Sequence, residues 1–194
     1  MNLKNILIIN GHPDTESFNF ALSKAYKKGA LESGAKVKEI IIRDIEFNSN
    51  LEFGYRKRIE LEPDLVHSQE KIKWADHIVW IYPVWWGSYP AIMKGFIDRT
   101  FLPGFAFEYR SNSVWWDKKL KRKSARIIST LHQPTWYYKL NYLQPSTRSI
   151  KWLTLHYCGI NPVKTTTIGG LKNATQIYRA NWLAKVENLG LKNK

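Results

Sequence analysis

Short apolar runs recur along this chain, and the stretches between them carry apolar residues at helical spacing. Ile6-Leu7-Ile8-Ile9-Asn10 is apolar at every position but the last, so it has no solvent face and reads as a strand buried inside a parallel sheet. Four further runs read as strands: Val37 to Arg43, His77 to Tyr82, Arg126 to Thr130 and Val163 to Ile168. Helices are predicted from about Phe18 to Glu32, Asp64 to Ala75, Ala91 to Thr100, Leu143 to Leu155 and Thr175 to Leu189. Gly34 and Gly159 fall where helices stop. Strand and helix in alternation indicate an α/β domain with a mostly parallel sheet. No repeat, low-complexity tract or linker divides the chain, so residues 1–194 read as one domain. Asn48 to Glu62 fits neither period and reads as a surface excursion able to cover an active site or a partner's surface. Gly104 to Lys123 is a second excursion, whose Phe105, Phe107, Tyr109, Trp115 and Trp116 must pack on the parent domain or meet another chain.

Two strand ends carry candidate chemistry. After the first strand comes Gly11-His12-Pro13-Asp14-Thr15-Glu16-Ser17-Phe18-Asn19, a polar turn opening a helix. That layout suits a phosphate, because free amides and the positive end of the helix dipole face an anion there. Ser17 and Asn19 could equally serve as ordinary helix caps. The turn has neither the dinucleotide glycine pattern nor a Walker loop. After the third strand comes Tyr82-Pro83-Val84-Trp85-Trp86-Gly87-Ser88-Tyr89-Pro90, where Pro83 ends the strand, Gly87 permits unusual dihedrals and two indoles can face a flat ring. Those tryptophans could also be plain core.

Taken together, Gly11-His12-Pro13 with Ser17-Phe18-Asn19, Pro83-Val84-Trp85-Trp86-Gly87, Pro90-Ala91, Lys94-Gly95 and Pro103-Gly104-Phe105-Ala106-Phe107 resemble the NAD(P)H:quinone oxidoreductases of the flavodoxin-like superfamily. The resemblance runs in order over most of the chain. It implies a flavodoxin-like doubly wound open parallel five-stranded sheet, strand order 2-1-3-4-5, with helices on both faces. In that order the first and third strands adjoin at the topological switch point, where ligands bind beyond the carboxyl ends of strands. It also implies a bound flavin, with FMN favoured and FAD the alternative, reduced by NAD(P)H and reoxidised by a quinone or a similar small acceptor in ping-pong turnover. His12, Ser17, Phe18 and Asn19 would hold the flavin phosphate. Pro83, Val84, Trp85, Trp86 and Gly87 would face the ring, chiefly through the amides of Val84, Trp85 and Trp86. In Ser129-Thr130-Leu131-His132-Gln133-Pro134 the family's Thr130 is kept, while Leu131 and His132 stand where its members carry paired glycines. Tyr137 falls near the family's charge-balancing tyrosine, with Tyr138 the alternative by one residue, and His132 could either substitute for a companion histidine that the chain lacks at the family spacing or serve as an ordinary hydrogen-bonding residue. Family members form homodimers with the flavin near the interface, so the aromatic excursion around Phe105 and Phe107 is expected between two copies. Azo- or nitroreduction is the alternative chemistry. A flavin-binding ancillary regulator docked on a potassium efflux transporter is the alternative role.

Composition changes this picture little. The net charge of +14 comes from scattered cations, and the densest run, Lys118-Lys119-Leu120-Lys121-Arg122-Lys123, reads as a solvated loop, so nucleic acid is not the expected partner. A basic surface favours anionic ligands in general. A single Cys158 and no clustered Cys/His spacing exclude an internal disulfide and argue against a zinc site. With no signal-peptide pattern and no apolar run of membrane-span length, the expectation is a cytoplasmic protein.

Overall fold

The structure, a computed structural model, describes residues 4–193. In chain order its elements are β1 (Asn5–Asn10), α1 (Phe18–Glu32), β2 (Lys36–Ile41), α2 (Pro63–Trp74), β3 (His77–Pro83), α3 (Ala91–Thr100), β4 (Phe107–Tyr109), β5 (Trp116–Lys118), β6 (Ser124–Thr130), α4 (Thr135–Leu140), α5 (Pro145–Arg148), β7 (Val163–Ile168) and α6 (Gln176–Leu191). Five strands form one parallel sheet in the order β2-β1-β3-β6-β7. This is the expected 2-1-3-4-5 pattern, because β4 and β5 form a separate antiparallel hairpin outside the sheet. The all-apolar runs occupy the middle of the sheet: every residue of β3 and all but the first of β1 are buried.

Alternating side chains divide between two cores. Leu7, Ile9, Ile78, Trp80 and Tyr82 pack with α2 and α3 on one face, while Ile6, Ile8, Val79 and Ile81 pack with α1 and α6 on the other. The first and last helices meet backbone to backbone. A Cβ on Gly29 would lie 2.0 Å from the Glu187 carbonyl oxygen, and one on Gly190 would lie 2.2 Å from that of Tyr26, so only glycine permits this crossing.

Several elements depart from the sequence reading. β2 ends at Ile41 rather than Arg43 because its partner β1 ends at Asn10, directly opposite, and Ile42–Asp44 turn off as a 3₁₀ helix. The helix expected from Leu143 begins at Pro145: Leu143 and Gln144 have φ of 55° and 54°, and a residue before proline is pushed out of the helical region. It then continues as a π-helix over Ser149–His156. The Gly104 to Lys123 excursion contains the β4–β5 hairpin, and its Phe105 and Phe107 are 7% and 5% exposed, packed into this chain's own core. They are therefore not the residues that could be covered by a second copy; Tyr109, Val114 and Trp115 near the hairpin's end are the exposed ones. The Asn48 to Glu62 excursion is pinned by the buried Arg99 of α3, which donates to the Asn48 carbonyl at 2.6 Å and to the Glu62 carboxylate at 2.8 Å. It borders a separate hollow beside Leu102 and Pro103 rather than the cavity at the strand ends.

Candidate functional site

The carboxyl ends of β1, β3 and β6 open into a cavity of about 720 Å³, within the range of roughly 300–1,000 Å³ usual for small-molecule sites. It is lined by His12, Ser17, Phe18 and Asn19 from the first loop and by Pro83 to Gly87 from the second. Thr130 and His132 contribute from the third. Every candidate residue from the sequence reaches this cavity except Tyr137. The switch point explains the convergence: β1 and β3 are adjacent, and their following loops diverge to opposite faces of the sheet.

The first loop gathers hydrogen-bond donors at the positive end of a helix. The His12 amide donates to Asn10 Oδ1 at 2.9 Å, and the Asp14 amide donates to His12 Nδ1 at 3.0 Å. Nδ1 is thereby an acceptor, so the imidazole proton sits on Nε2 as a donor. Burial lowers the His12 pKa against the opposing pull of Asp14, favouring this neutral form. Ser17 is the N-cap of α1, its Oγ accepting from the Phe20 amide at 3.4 Å. The amides of Phe18 and Asn19, at the first two helical positions, have no partner within the helix and sit at the positive end of its dipole. Asn19 has a different task from the one its type suggests. Its side chain is buried, Nδ2 donating to Thr130 Oγ1 at 3.0 Å and Oδ1 reached by the Thr130 hydroxyl at 3.3 Å, so it braces the start of α1 against the end of β6.

The second loop is a tight turn. Trp85 and Ser88 exchange backbone hydrogen bonds at 2.8 Å in both directions, and the central residues Trp86 and Gly87 have φ of 49° and 74°. Positive φ at both centres is the type I′ pattern, which suits Gly87 and strains Trp86. The Val84 amide is spent on the Thr130 carbonyl at 2.7 Å and the Trp85 amide on Ser88, which corrects the expectation that both face a ligand. The Trp86 and Gly87 amides are the donors left at the turn's outer edge. The Trp86 side chain is fully exposed, and Trp85 meets His12 edge to face, with ring centroids 5.6 Å apart.

On the third side, bulk at Leu131 is accommodated because its side chain is buried and its backbone is tied at both ends, the amide to Ile168 and the carbonyl to Leu171. His132 is exposed at the rim. Tyr138, not Tyr137, faces the cavity, and its hydroxyl is paired with Ser146 Oγ at 2.7 Å, so it is a wall. Tyr137 sits one layer back, its ring edge-on to Tyr142 at 5.3 Å, and Tyr142 lines the cavity. Hydrogen bonding to Tyr137 raises the Tyr142 pKa. Sequence reasoning missed Tyr142, Pro145 and Arg179. Arg179, from α6, donates to the Leu171 carbonyl at 3.1 Å and lies 5.2 Å from the Phe18 ring centroid, which places a cation beside the N-terminus of α1. Among the described residues no group of His, Cys, Asp and Glu is placed to hold a metal, and no helix is long and apolar enough to cross a membrane.

The arrangement therefore offers an anion pocket of helix amides, a neutral histidine donor and an arginine. An aromatic slot adjoins it. A flavin has this shape and polarity, a phosphate-bearing tail on a flat ring, and the residues present fit such a group.

The chain's relatives are consistent with this geometry. It is 30% identical over 173 residues to an uncharacterized NAD(P)H oxidoreductase of Haemophilus influenzae, covering 86% of this chain and 84% of that protein. It is 27% identical over 217 residues to NAD(P)H dehydrogenase [quinone] 1 of Cavia porcellus, covering 96% and 78%. The crystal structure of a Streptococcus mutans protein superimposes with a TM-score of 0.83 at 29% identity, covering 97% of this chain and 99% of that one. The model of the flavodoxin-like fold family matches residues 4–188. The chain belongs to the flavodoxin-like family of NAD(P)H:quinone oxidoreductases.

Proposed function

We propose that this protein is a flavin-dependent NAD(P)H oxidoreductase that passes two electrons to quinones or similar small acceptors. The observation that carries this reading is the meeting of an anion pocket and an aromatic slot in one cavity at the switch point. When bound, the flavin supplies hydride acceptance from the nicotinamide and electron delivery to the acceptor. The protein's part is placement and electrostatics. The Phe18 and Asn19 amides, His12 Nε2–H and Arg179 would hold the phosphate, and FMN is favoured over FAD. The indoles of Trp85 and Trp86 would wall the ring, and the Trp86 and Gly87 amides would donate to its polar edge as negative charge develops. Tyr142, hydrogen-bonded to Tyr137, would hold a proton at the rim, where His132 also stands. If donor and acceptor share this one cavity, each would leave before the other enters, which is ping-pong turnover. A homodimer would use the exposed Tyr109, Val114 and Trp115 near the end of the hairpin.

Titrating the apoprotein with FMN and with FAD tests the reading, since protein-bound flavin absorbs near about 450 nm with a perturbed band. Stopped-flow reduction by NADPH and NADH, followed by reoxidation with a quinone, tests the chemistry. Binding of neither flavin at micromolar concentration overturns the proposal. Flavin binding without turnover would leave the regulatory role.

A further inference from the structure

Beside the main cavity lies a second hollow of about 550 Å³, walled by Tyr142, Leu143, Arg148, Trp152 and Leu153. The two share Tyr142 and Pro145 as their common wall. The second hollow is mostly apolar, its polar groups being the Arg148 guanidinium, the Ser149 hydroxyl and the Tyr142 phenol. Trp152 is held by parallel stacking on His156, with ring centroids 4.5 Å apart at 18°, and Lys151 Nζ lies 4.9 Å from its ring centroid. The wall is carried partly by the π-helix Ser149–His156, a rare conformation that recurs at functional sites.

Charge distinguishes this hollow from an ordinary apolar dent. No Asp or Glu occurs between Asp117 and Glu187, while Lys and Arg recur throughout that stretch. Among the described residues Arg148 has no ion pair, and it stands exposed at the hollow's edge. An indole, a guanidinium and a neighbouring ammonium without a competing carboxylate form a receptor for an aromatic base bearing phosphate. A reduced nicotinamide dinucleotide has such a base at the end remote from its reactive ring.

We infer that this hollow is the adenosine subsite of the electron donor, and that Arg148, supported by Lys151, selects NADPH over NADH through the 2′-phosphate. The inference rests on the oxidoreductase reading above. The nicotinamide occupies the larger cavity, the dinucleotide crosses the Tyr142–Pro145 wall, and the adenine packs on Trp152, displacing the Lys151 ammonium toward phosphate. Arg148 is a specificity residue that never touches the reacting atoms.

The test uses fragments of the donor on the full chain. Adenosine 2′,5′-bisphosphate, which lacks nicotinamide, should bind the parent protein in calorimetry and bind Arg148→Ala about tenfold more weakly, the size of one charge-assisted contact. Adenosine 5′-phosphate should bind both proteins alike, and Trp152→Leu should weaken both fragments. With flavin bound, Arg148→Ala should raise the KM for NADPH about tenfold at unchanged kcat. It should leave NADH and reduced nicotinamide mononucleotide unaffected. The subsite is overturned if the bisphosphate does not bind the parent at millimolar concentration, or if Arg148→Ala slows NADPH and the mononucleotide equally. If the fragments bind as stated but no donor reduces bound flavin, the oxidoreductase reading fails and the nucleotide subsite stands.

Discussion

Thr130→Val isolates the brace between the sheet and the anion pocket. Valine matches threonine in volume, so no cavity opens, but the buried Asn19 amide loses the hydroxyl that it meets at 3.0 Å. Leaving such a group unsatisfied costs about 1–3 kcal/mol. For a urea m-value of roughly 2 kcal/mol/M, the midpoint should fall by about 0.5–1.5 M. Thr130→Ser keeps the hydroxyl and should lose less than about 1 kcal/mol, from the missing methyl alone. Because Asn19 stands in the first turn of α1, the loosened turn also positions its free amides less well, and FMN affinity should fall by about fivefold, near 1 kcal/mol. Urea melts of the apoprotein and flavin titrations of all three proteins check this. A valine variant within about 0.3 kcal/mol of the parent, or a serine variant equally damaged, would show that the hydrogen bond does not hold the pocket together.

Trp86→Asn should separate stability from function. Asn-Gly is the favoured pair for a type I′ turn, so relieving the left-handed tryptophan should raise stability by about 0.5–1 kcal/mol. Flavin affinity should drop by about fivefold or more as the indole is lost; urea melts and flavin titration on the same samples read both, and a parallel change in the two would refute it. Stability should also fall in acid through His77, a buried residue whose pKa is pushed down to about 3 chiefly by burial, with Lys4, Arg126 and Lys164 adding to the effect. Between about pH 6.5 and 3 the unfolded chain binds this proton and the folded one does not, so stability declines as pH falls, by up to about 1.4 kcal/mol per unit. Urea midpoints at pH 7.5 and pH 5 for the parent and for His77→Gln check it; an unchanged slope in the variant would remove His77 as the cause.

The sheet was legible because its strands are unambiguous: a run such as Ile6 to Asn10 has no polar face and can only be interior. The loops of the site were legible because strand order alone brings β1 and β3 together. What escaped the sequence depends on where a chain turns in space. Nothing local in Val84 and Trp85 reveals that their amides are consumed by Thr130 and Ser88. Arg179 reaches the pocket only because α6 crosses α1, and that crossing is encoded by two glycines far apart in the chain. The choice between Tyr137 and Tyr138 turns on the register of a single helical turn, α4, whose short pattern carries too few positions to define a buried face. Phe105 and Phe107 illustrate the same limit, since apolar residues in an irregular segment cannot announce whether their cover belongs to the same molecule.

The glycine crossing of α1 and α6 also sets a sequence of events in time. The anion pocket opens at the start of α1, among the first elements to leave the ribosome, yet Arg179 arrives on α6, the final described helix. At a synthesis rate of about 5–20 residues per second, the pocket waits on the order of ten seconds for its arginine. During that interval the small, bare faces at Gly29 and the surrounding apolar surface of α1 have no native cover, and they are open to chaperones or to neighbouring nascent chains. On the proposed reading, cofactor capture and closure of the α1 face would fall together late in biogenesis, so a chain that stalls before α6 emerges would leave that face uncovered and the pocket without its arginine.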